Sequence, residues 1–317
     1  MSGWKAGLVA MVVGGAILLT GWVLSRESDG PGPSTSATVE ASDMGSDVVL
    51  ACVPALETVC TSAAAALGVA FDTWEAGEPI PERGVVLAPA VDFPDGTELG
   101  PVLAESPIVI AGWRTRWQPL ELACGDRVDA ACVGSSLGRT WAELGGNSAW
   151  GDFKVGLADP TVSEQGMVAW SVLQPALGAN ADALAGSLRV VKDSDADLME
   201  ELVLFASRAD LVVTTEVAVA AQFQNAIARG GGRIEIGYPE SGPWIEYVSV
   251  GTGRGSGALI EELSGTDMAT VFTEGGLRPA AGVSGPLPDG LGTPGAKSPS
   301  PDDPTRATLI AAWEEHT

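Results

Sequence analysis

Short, continuous apolar runs alternate with helix-forming segments along most of this chain, and that alternation limits the fold more than any other feature. The runs are "DVVLACVPAL", "RGVVLAPAV", "SPIVIAGW", "DFKVGLADP", "ADLVVTTE", "RIEIGYP" and "WIEYVSV". Each is strand-length, and most show no polar alternation, as expected when both faces of a sheet are covered. Between them lie segments that read as helices. "ETVCTSAAAALGV" is alanine-rich and stops at Gly68, and "SSLGRTWAELGG" places Trp141 and Leu144 on one face. "SEQGMVAWSVLQPAL" and "DADLMEELVLFASRA" follow, and "EVAVAAQFQNAIARGGG" ends at glycines. Strands alternating with helices predict an α/β fold, with mixed, mostly parallel sheets and helices on both faces.

The N-terminus reads differently. "GLVAMVVGGAILLTGWVL" is uncharged. As a helix rising ~1.5 Å per residue it would extend roughly 27 Å, close to the hydrocarbon core of a bilayer. Lys5 precedes it, and Arg26, Glu27 and Asp29 follow it, a bias that favours an N-in, C-out orientation. A membrane anchor over residues 1–25 is expected. A cleaved signal peptide is the alternative, although the run exceeds the usual apolar region of such peptides. No cysteine follows closely, which argues against a lipid-modified N-terminus. Residues 26–46, rich in Ser, Gly, Pro and acid, are expected to form a disordered stalk. The globular part is expected over residues 47–317. Within it, residues 280–304 are Pro/Gly/Ser-rich coil, and "TRATLIAAWEEHT" is a short helix with Leu309, Ile310 and Trp313 on one stripe.

The four cysteines agree with export. Cys52, Cys60, Cys124 and Cys132 form two closely spaced pairs, and an even count outside a reducing compartment suggests disulfides. Three connectivities are possible; local pairs, Cys52 with Cys60 and Cys124 with Cys132, are favoured. A metal site is not expected, because there is no C-x2-C and the one histidine is His316. A formal charge of −24 argues against a nucleic-acid partner. No nucleophile elbow, P-loop or H-E-x-x-H motif is present, and no cofactor is indicated, so no enzymatic activity is expected. With 41 acidic residues some carboxylates must pair, but no spacing marks a catalytic pair. "GTGRGSGA" fits a loose glycine fingerprint but reads better as a flexible loop.

"LADPTVSEQGMVAW" runs from a strand into a helix, and two starts compete. Asp159 could be the N-cap with Pro160 at the first helical position, or Thr161 could cap with Glu164 closing a capping box. Either leaves free backbone N–H groups around residues 161–166, a place where an anion or polar ligand can bind. Gly166 would permit close approach.

The order of these pieces resembles that of type II periplasmic solute-binding proteins, in particular the molybdate-binding-like group. "DVVLACVPAL", "VVLAPAV", "ESPIVIAGW", "WAELGG", "FKVGLADPTVSEQG", "ADLVVTTE", "IGYPESGPW" and "GGLRP" come in that family's order. The chain is also similar to the solute-binding half of bacterial proteins that carry a von Willebrand A domain. The resemblance implies a two-lobed fold of the periplasmic-binding-protein type II, with lobe one over residues 47–107 plus 238–317 and lobe two over 108–237. It implies capture of a small-molecule solute between the lobes. A membrane permease of the ABC type or a von Willebrand A protein would be the partner. Cleft residues carried over are Pro54, Ala55, Leu56, Ala88, Pro89, Ala90, Ser163, Gly166, Thr214, Thr215, Glu216 and Tyr238. The family's oxyanion binders use small hydroxyl residues in the first two loops. Here those loops read "VPALE" and "APAVD", which argues against molybdate and leaves another solute, a peptide-like partner or no ligand.

Overall fold

The computed structural model describes residues 48–229, 232–283 and 285–317. The expected anchor and stalk lie outside the described residues. Among the described residues no helix is long and apolar enough to cross a membrane.

The chain begins with β1 (Val49–Cys52), a 3-10 turn (Pro54–Leu56), α1 (Glu57–Leu67), β2 (Ala70–Thr73) and β3 (Gly84–Pro89). A second 3-10 turn, Ala90–Asp92, leads to the long β4 (Val102–Trp113). Then come α2 (Arg114–Ala123), α3 (Ala130–Ser136), β5 (Val155–Ala158), α4 (Glu164–Leu177), α5 (Leu184–Ser187) and β6 (Leu188–Lys192). They are followed by α6 (Asp195–Leu204), β7 (Leu211–Thr215), α7 (Glu216–Ala228), β8 (Ile234–Gly237) and β9 (Ser241–Thr252). The chain ends with α8 (Ser256–Leu263), α9 (Thr266–Glu274), β10 (Arg278–Pro279), β11 (Ala296–Ser298) and α10 (Asp303–His316).

The apolar runs of the sequence form the strands, and their burial explains why. All six residues of β3, all four of β5 and all five of β7 are buried. One block of sheet holds β2, β1 and β3 in parallel, with Val49 opposite both Ala70 and Gly84. A second block holds β6, β5 and β7 in parallel. The antiparallel β4 and β9 join them. From Val102 to Pro107, β4 pairs with β9; from Ile108 onward it pairs with β7 and β8. One strand therefore belongs to both blocks, and the chain returns from the second to the first through Tyr238–Glu240, between β8 and β9. At that return Gly237 lies against another segment, because a Cβ there would sit 2.0 Å from the Val128 carbonyl oxygen.

One local expectation is corrected, and one helix lies where no element was expected. No helix spans "SSLGRTWAELGG". α3 ends at Ser136, and Thr140–Gly146 is a series of turns. There the Glu143 carboxylate accepts from the Thr140 backbone N–H (2.7 Å) and hydroxyl (2.9 Å). Trp141 and Leu144 are both buried, so their spacing reports core contacts rather than a helical period. Conversely, "RTRWQPLELA" forms α2 in spite of Pro119, with Trp117 and Leu120 buried. Burial of a few side chains outweighs weak local propensity in both places. The glycine-rich loop after β9 opens α8 with Gly255 at its N-cap. β9 is antiparallel to both β3 and β4, so the loop lacks the parallel crossover that a dinucleotide fingerprint needs.

Both disulfides form between the local pairs, Cys52–Cys60 and Cys124–Cys132. The first ties the end of β1 to the second turn of α1 and so holds the Pro54–Leu56 turn between them. α10 returns to pack on α4: the Trp170 indole N–H donates to the Leu309 carbonyl (2.8 Å), and Trp170 meets Trp313 edge to face at 5.4 Å.

Replacing Cys52 and Cys60 with serine should cost about 2–3 kcal/mol, from the loop-closure entropy of a crosslink this short. Urea unfolding with and without reductant measures it; an equal midpoint for variant and oxidised parent would contradict the clamp.

Candidate functional site

Where the two blocks meet, the starts of three helices face the first two turns of the chain. α7 begins directly from β7, with no loop. Thr215 is its N-cap, and its hydroxyl accepts from the Ala218 N–H at 3.4 Å. The same hydroxyl donates to the carboxylate of Asp195, in the first turn of α6. Asp195 is only 1% exposed, and its Oδ1 has no hydrogen-bond partner. Burial raises its pKa to about 6, against the lowering effect of the Thr215 hydroxyl and nearby backbone N–H groups.

The start of α4 differs from both sequence readings. Ser163 is the N-cap, accepting from the Gly166 N–H at 3.1 Å and donating to Gln165 Oε1 at 3.0 Å. Asp159 instead folds a preceding turn, its Oδ1 accepting from the Thr161 N–H (2.8 Å) and hydroxyl (2.7 Å). Serine satisfies the helix N–H while aspartate satisfies the turn, so each polar residue has its own task. Gly166 does not open the site to a ligand by its small size. A Cβ there would lie 2.6 Å from the Ala158 carbonyl oxygen, so glycine lets α4 close on the end of β5. Glu164 is held by a two-pronged ion pair from Arg306 of α10.

From the first block come the Pro54–Leu56 turn, which packs on α6 and α7, and the Ala90–Asp92 turn. Asp92 makes no hydrogen bond through its carboxylate among the described residues. Its pKa is raised to about 7, chiefly by burial, then by the charges of Glu164 and Asp195; Arg306 opposes this. A carboxylate of the first block thus lies in the field of two from the second. Tyr247 of β9, opposite Pro89, is fully buried beneath them. Its hydroxyl lies beside Gln165 and Thr215 without meeting hydrogen-bond geometry to any group. Burial first, then Asp195 and Asp92, hold its phenol well above the usual range.

The expected site residues therefore divide. Ser163 and Thr215 stand at this junction as helix caps. Ala55, Leu56, Ala88 and Pro89 are buried, Ala90 is half-buried, and Pro54 is exposed. Thr214 points to the opposite face of β7 by strand alternation, and its hydroxyl is buried without a partner. Glu216 and Tyr238 already have partners within the chain. Arg278 of β10 donates from Nε to Glu216 Oε2 (2.9 Å) and from Nη2 to Oε1 (2.7 Å), and the Tyr238 hydroxyl also donates to Oε1. The Gly292 N–H donates to the Tyr238 oxygen at 2.9 Å. This group pins β10 and the chain return to the start of α7. Ser106 of β4 adds a hydroxyl that accepts from the Val217 N–H at 3.1 Å.

Sequence reasoning missed Asp92, Asp195, Gln165, Tyr247, Arg278 and Arg306. Asp92 closes the quoted "APAVD", and Asp195 sits in "SDAD", a helix-start pattern that hides any other role. Tyr247, inside an apolar strand, gave no signal.

Two α/β lobes joined by β4 and by the return into β9, with helix starts facing one another at the join, define the periplasmic-binding-protein type II fold. The similarity extends to particular structures. The periplasmic binding protein P5PA superposes with a TM-score of 0.52 at 12% identity, over 85% of this chain and 99% of that one. The periplasmic molybdate-binding protein of Azotobacter vinelandii (TM-score 0.46, 13% identity) matches over 73% of this chain and 98% of its own. The sulfate-binding protein SubI of Mycobacterium tuberculosis H37Rv (TM-score 0.44, 13% identity) matches over 74% and 86%. No protein-family model matches the chain. No curated protein matches it.

Two outcomes follow from the site. Arg278→Met strands a buried carboxylate and should cost about 3–5 kcal/mol in urea unfolding, with much of the loss recovered when Glu216→Gln is added. Asp92 and Asp195 both bind protons more tightly folded than unfolded. Their contribution is fully present below about pH 4 and is lost as pH rises through about 6 to 7. Asp92→Asn should therefore raise the melting temperature at pH 8 by at least about 2 °C and leave it little changed at pH 4. Melting curves across that range check it; an unchanged slope would refute it.

Proposed function

We propose that this protein is a non-enzymatic, extracytoplasmic solute-binding protein, held to the membrane through residues 1–25, that captures a small solute between its lobes and delivers it to an ABC-type permease. Lobe one comprises residues 47–107 and 238–317, lobe two residues 108–237, and α10 reaches from the first to pack on the second. The observation that carries this reading is the junction itself. It gathers the starts of α4, α6 and α7 against turns of the other lobe and buries there the Asp195 Oδ1 and the Tyr247 hydroxyl, neither with a hydrogen-bond partner among the described residues. Buried polar groups are satisfied in the great majority of cases, and an unsatisfied set at a lobe junction is where a ligand would complete them. Opening would occur by bending at Pro107–Ile108 and at Tyr238–Glu240, as hinge closure requires only a few such residues.

The test is a thermal-shift screen of the full chain against oxyanions, amino acids, amines, sugars and short peptides. A solute at about 100 times its dissociation constant adds ~2.7 kcal/mol to the native state. The expected result is a shift for one chemical class, with a smaller radius of gyration by X-ray scattering when it is bound. No shift with any class would refute solute capture and favour a protein partner, such as one bearing a von Willebrand A domain.

A further inference from the structure

A cavity of about 460 Å³ lies in lobe two away from the junction, within the size range of small-molecule sites. Its walls come from the far end of β4 (Trp113), the start of α2 (Arg116), the turn Ser148–Trp150 and the ends of α6 (Val203, Leu204) and α7 (Arg229). Both α6 and α7 start at the junction and end here. At ~1.5 Å per residue, their 10 and 13 residues separate the two places by roughly 15–20 Å.

The Arg116 guanidinium is fixed on two sides. Its Nε faces Oδ1 of the fully buried Asp210 at 3.0 Å, and it lies over the Trp150 ring, 3.8 Å from the centroid. Asp210 is itself held through Oδ2, which accepts from the Trp141 indole N–H (3.0 Å) and the Lys154 backbone N–H (2.8 Å). Only 13% of the Arg116 side chain is exposed, and Nη1 is buried without a hydrogen-bond partner among the described residues. Burial holds this guanidinium below its ordinary pKa, although Asp210 acts the other way. One carboxylate therefore does not fully compensate the desolvated cation. Arg229, at the rim, is exposed and makes no ion pair among the described residues. No acidic side chain lines the cavity, in a chain whose net charge is −24. Trp113, Val203 and Leu204 supply an apolar side, and the Trp113 indole N–H is already bound to the Leu202 carbonyl at 3.0 Å.

We propose that this cavity is a ligand site separate from the lobe junction, taking a small monocarboxylate carried on an aromatic or branched apolar body. The carboxylate would accept from the Arg116 and Arg229 guanidinium groups, and the body would lie against Trp113, Val203 and Leu204. A guanidinium fork matches the plane of a carboxylate, and the pair gains strength where water is excluded. Two guanidinium charges less that of Asp210 leave one positive charge, which a single negative charge matches and a phosphate dianion exceeds. The ends of α6 and α7 oppose an anion with their carbonyl poles. These are worth about half a charge each and are engaged in part by the Trp113 indole N–H. They weaken the preference without reversing it, and the start of α2, which has no side-chain cap, acts in its favour. Every wall residue belongs to lobe two, so the site does not depend on the interlobe reading and needs no closure.

The experiment is calorimetric titration of the full chain with phenylacetate and indole-3-acetate, and with phenylacetamide and phenethylamine as neutral and cationic counterparts. The expected result is binding of at least one acid and of neither counterpart, with the radius of gyration by X-ray scattering unchanged. Arg229→Gln should weaken that binding about threefold, as for an exposed charge pair. Ala206→Trp, which fills the cavity from its exposed rim, should abolish it. Neither side chain is bonded to another among the described residues, so both variants should melt as the parent does. Acid binding that persists unchanged in Ala206→Trp would place the ligand elsewhere and overturn the assignment. Binding of phenylacetamide or phenethylamine as tight as that of the acid would overturn it as well. Absence of binding by both acids at millimolar concentration would also overturn it, and would leave capture at the lobe junction to its own test.

Discussion

The continuous strand β4 is the constraint on which the architecture depends. Its twelve residues pair with β9 and β10 over one part and with β7 and β8 over the other. A buried backbone must satisfy every N–H and C=O, so the two lobes cannot be built independently. The switch falls at Pro107–Ile108. Proline brings no N–H, which makes it a low-cost residue where one ladder ends and another begins. The return through Tyr238–Glu240 then has to reach β9 close by, and Gly237 allows it to pass beneath the Val128 carbonyl.

Three contacts brace the joined lobes. The buried Glu216–Arg278 pair, the Ser106 hydroxyl on the Val217 N–H, and the Arg306–Glu164 pair each bridge elements from the two blocks. They are polar and directional. Apolar burial alone would bring the lobes together without fixing their angle, whereas a bidentate guanidinium pair is satisfied in one geometry. The carboxylates left over, Asp92 and Asp195, oppose closure through desolvation and mutual repulsion. The junction thus combines these ion pairs with two carboxylates whose pKa values burial raises.

Much of the fold was legible. β1, β3, β5 and β7 are continuous apolar runs because both faces of those strands are covered, and Gly68 ends α1 in the left-handed conformation that glycine favours. The chain around Trp141 was misread because two buried side chains three residues apart mimic a helical stripe. α2 was missed because its sequence is polar and carries a proline, while its two anchors, Trp117 and Leu120, gain their burial from residues elsewhere. The start of α4 was misplaced by a few residues because Asp159, Thr161 and Ser163 are all good caps. In the fold Asp159 and Thr161 are engaged in the preceding turn, and Ser163 is left as the cap.

By itself the sequence determined the α/β alternation, the candidate cysteine pairs and the acidic surface, since these follow from local spacing and composition. It also placed Ser163 and Thr215 at helix starts or strand ends. Tertiary structure decided which polar groups meet. Asp195 and Thr215 are 20 residues apart, and Glu216 and Arg278 are 62. Asp92 lies within electrostatic reach of Asp195, which comes from the other lobe. Nothing local distinguishes these acids from the rest of the 41, because a carboxylate acquires its character from burial and neighbours, and both are properties of the folded chain.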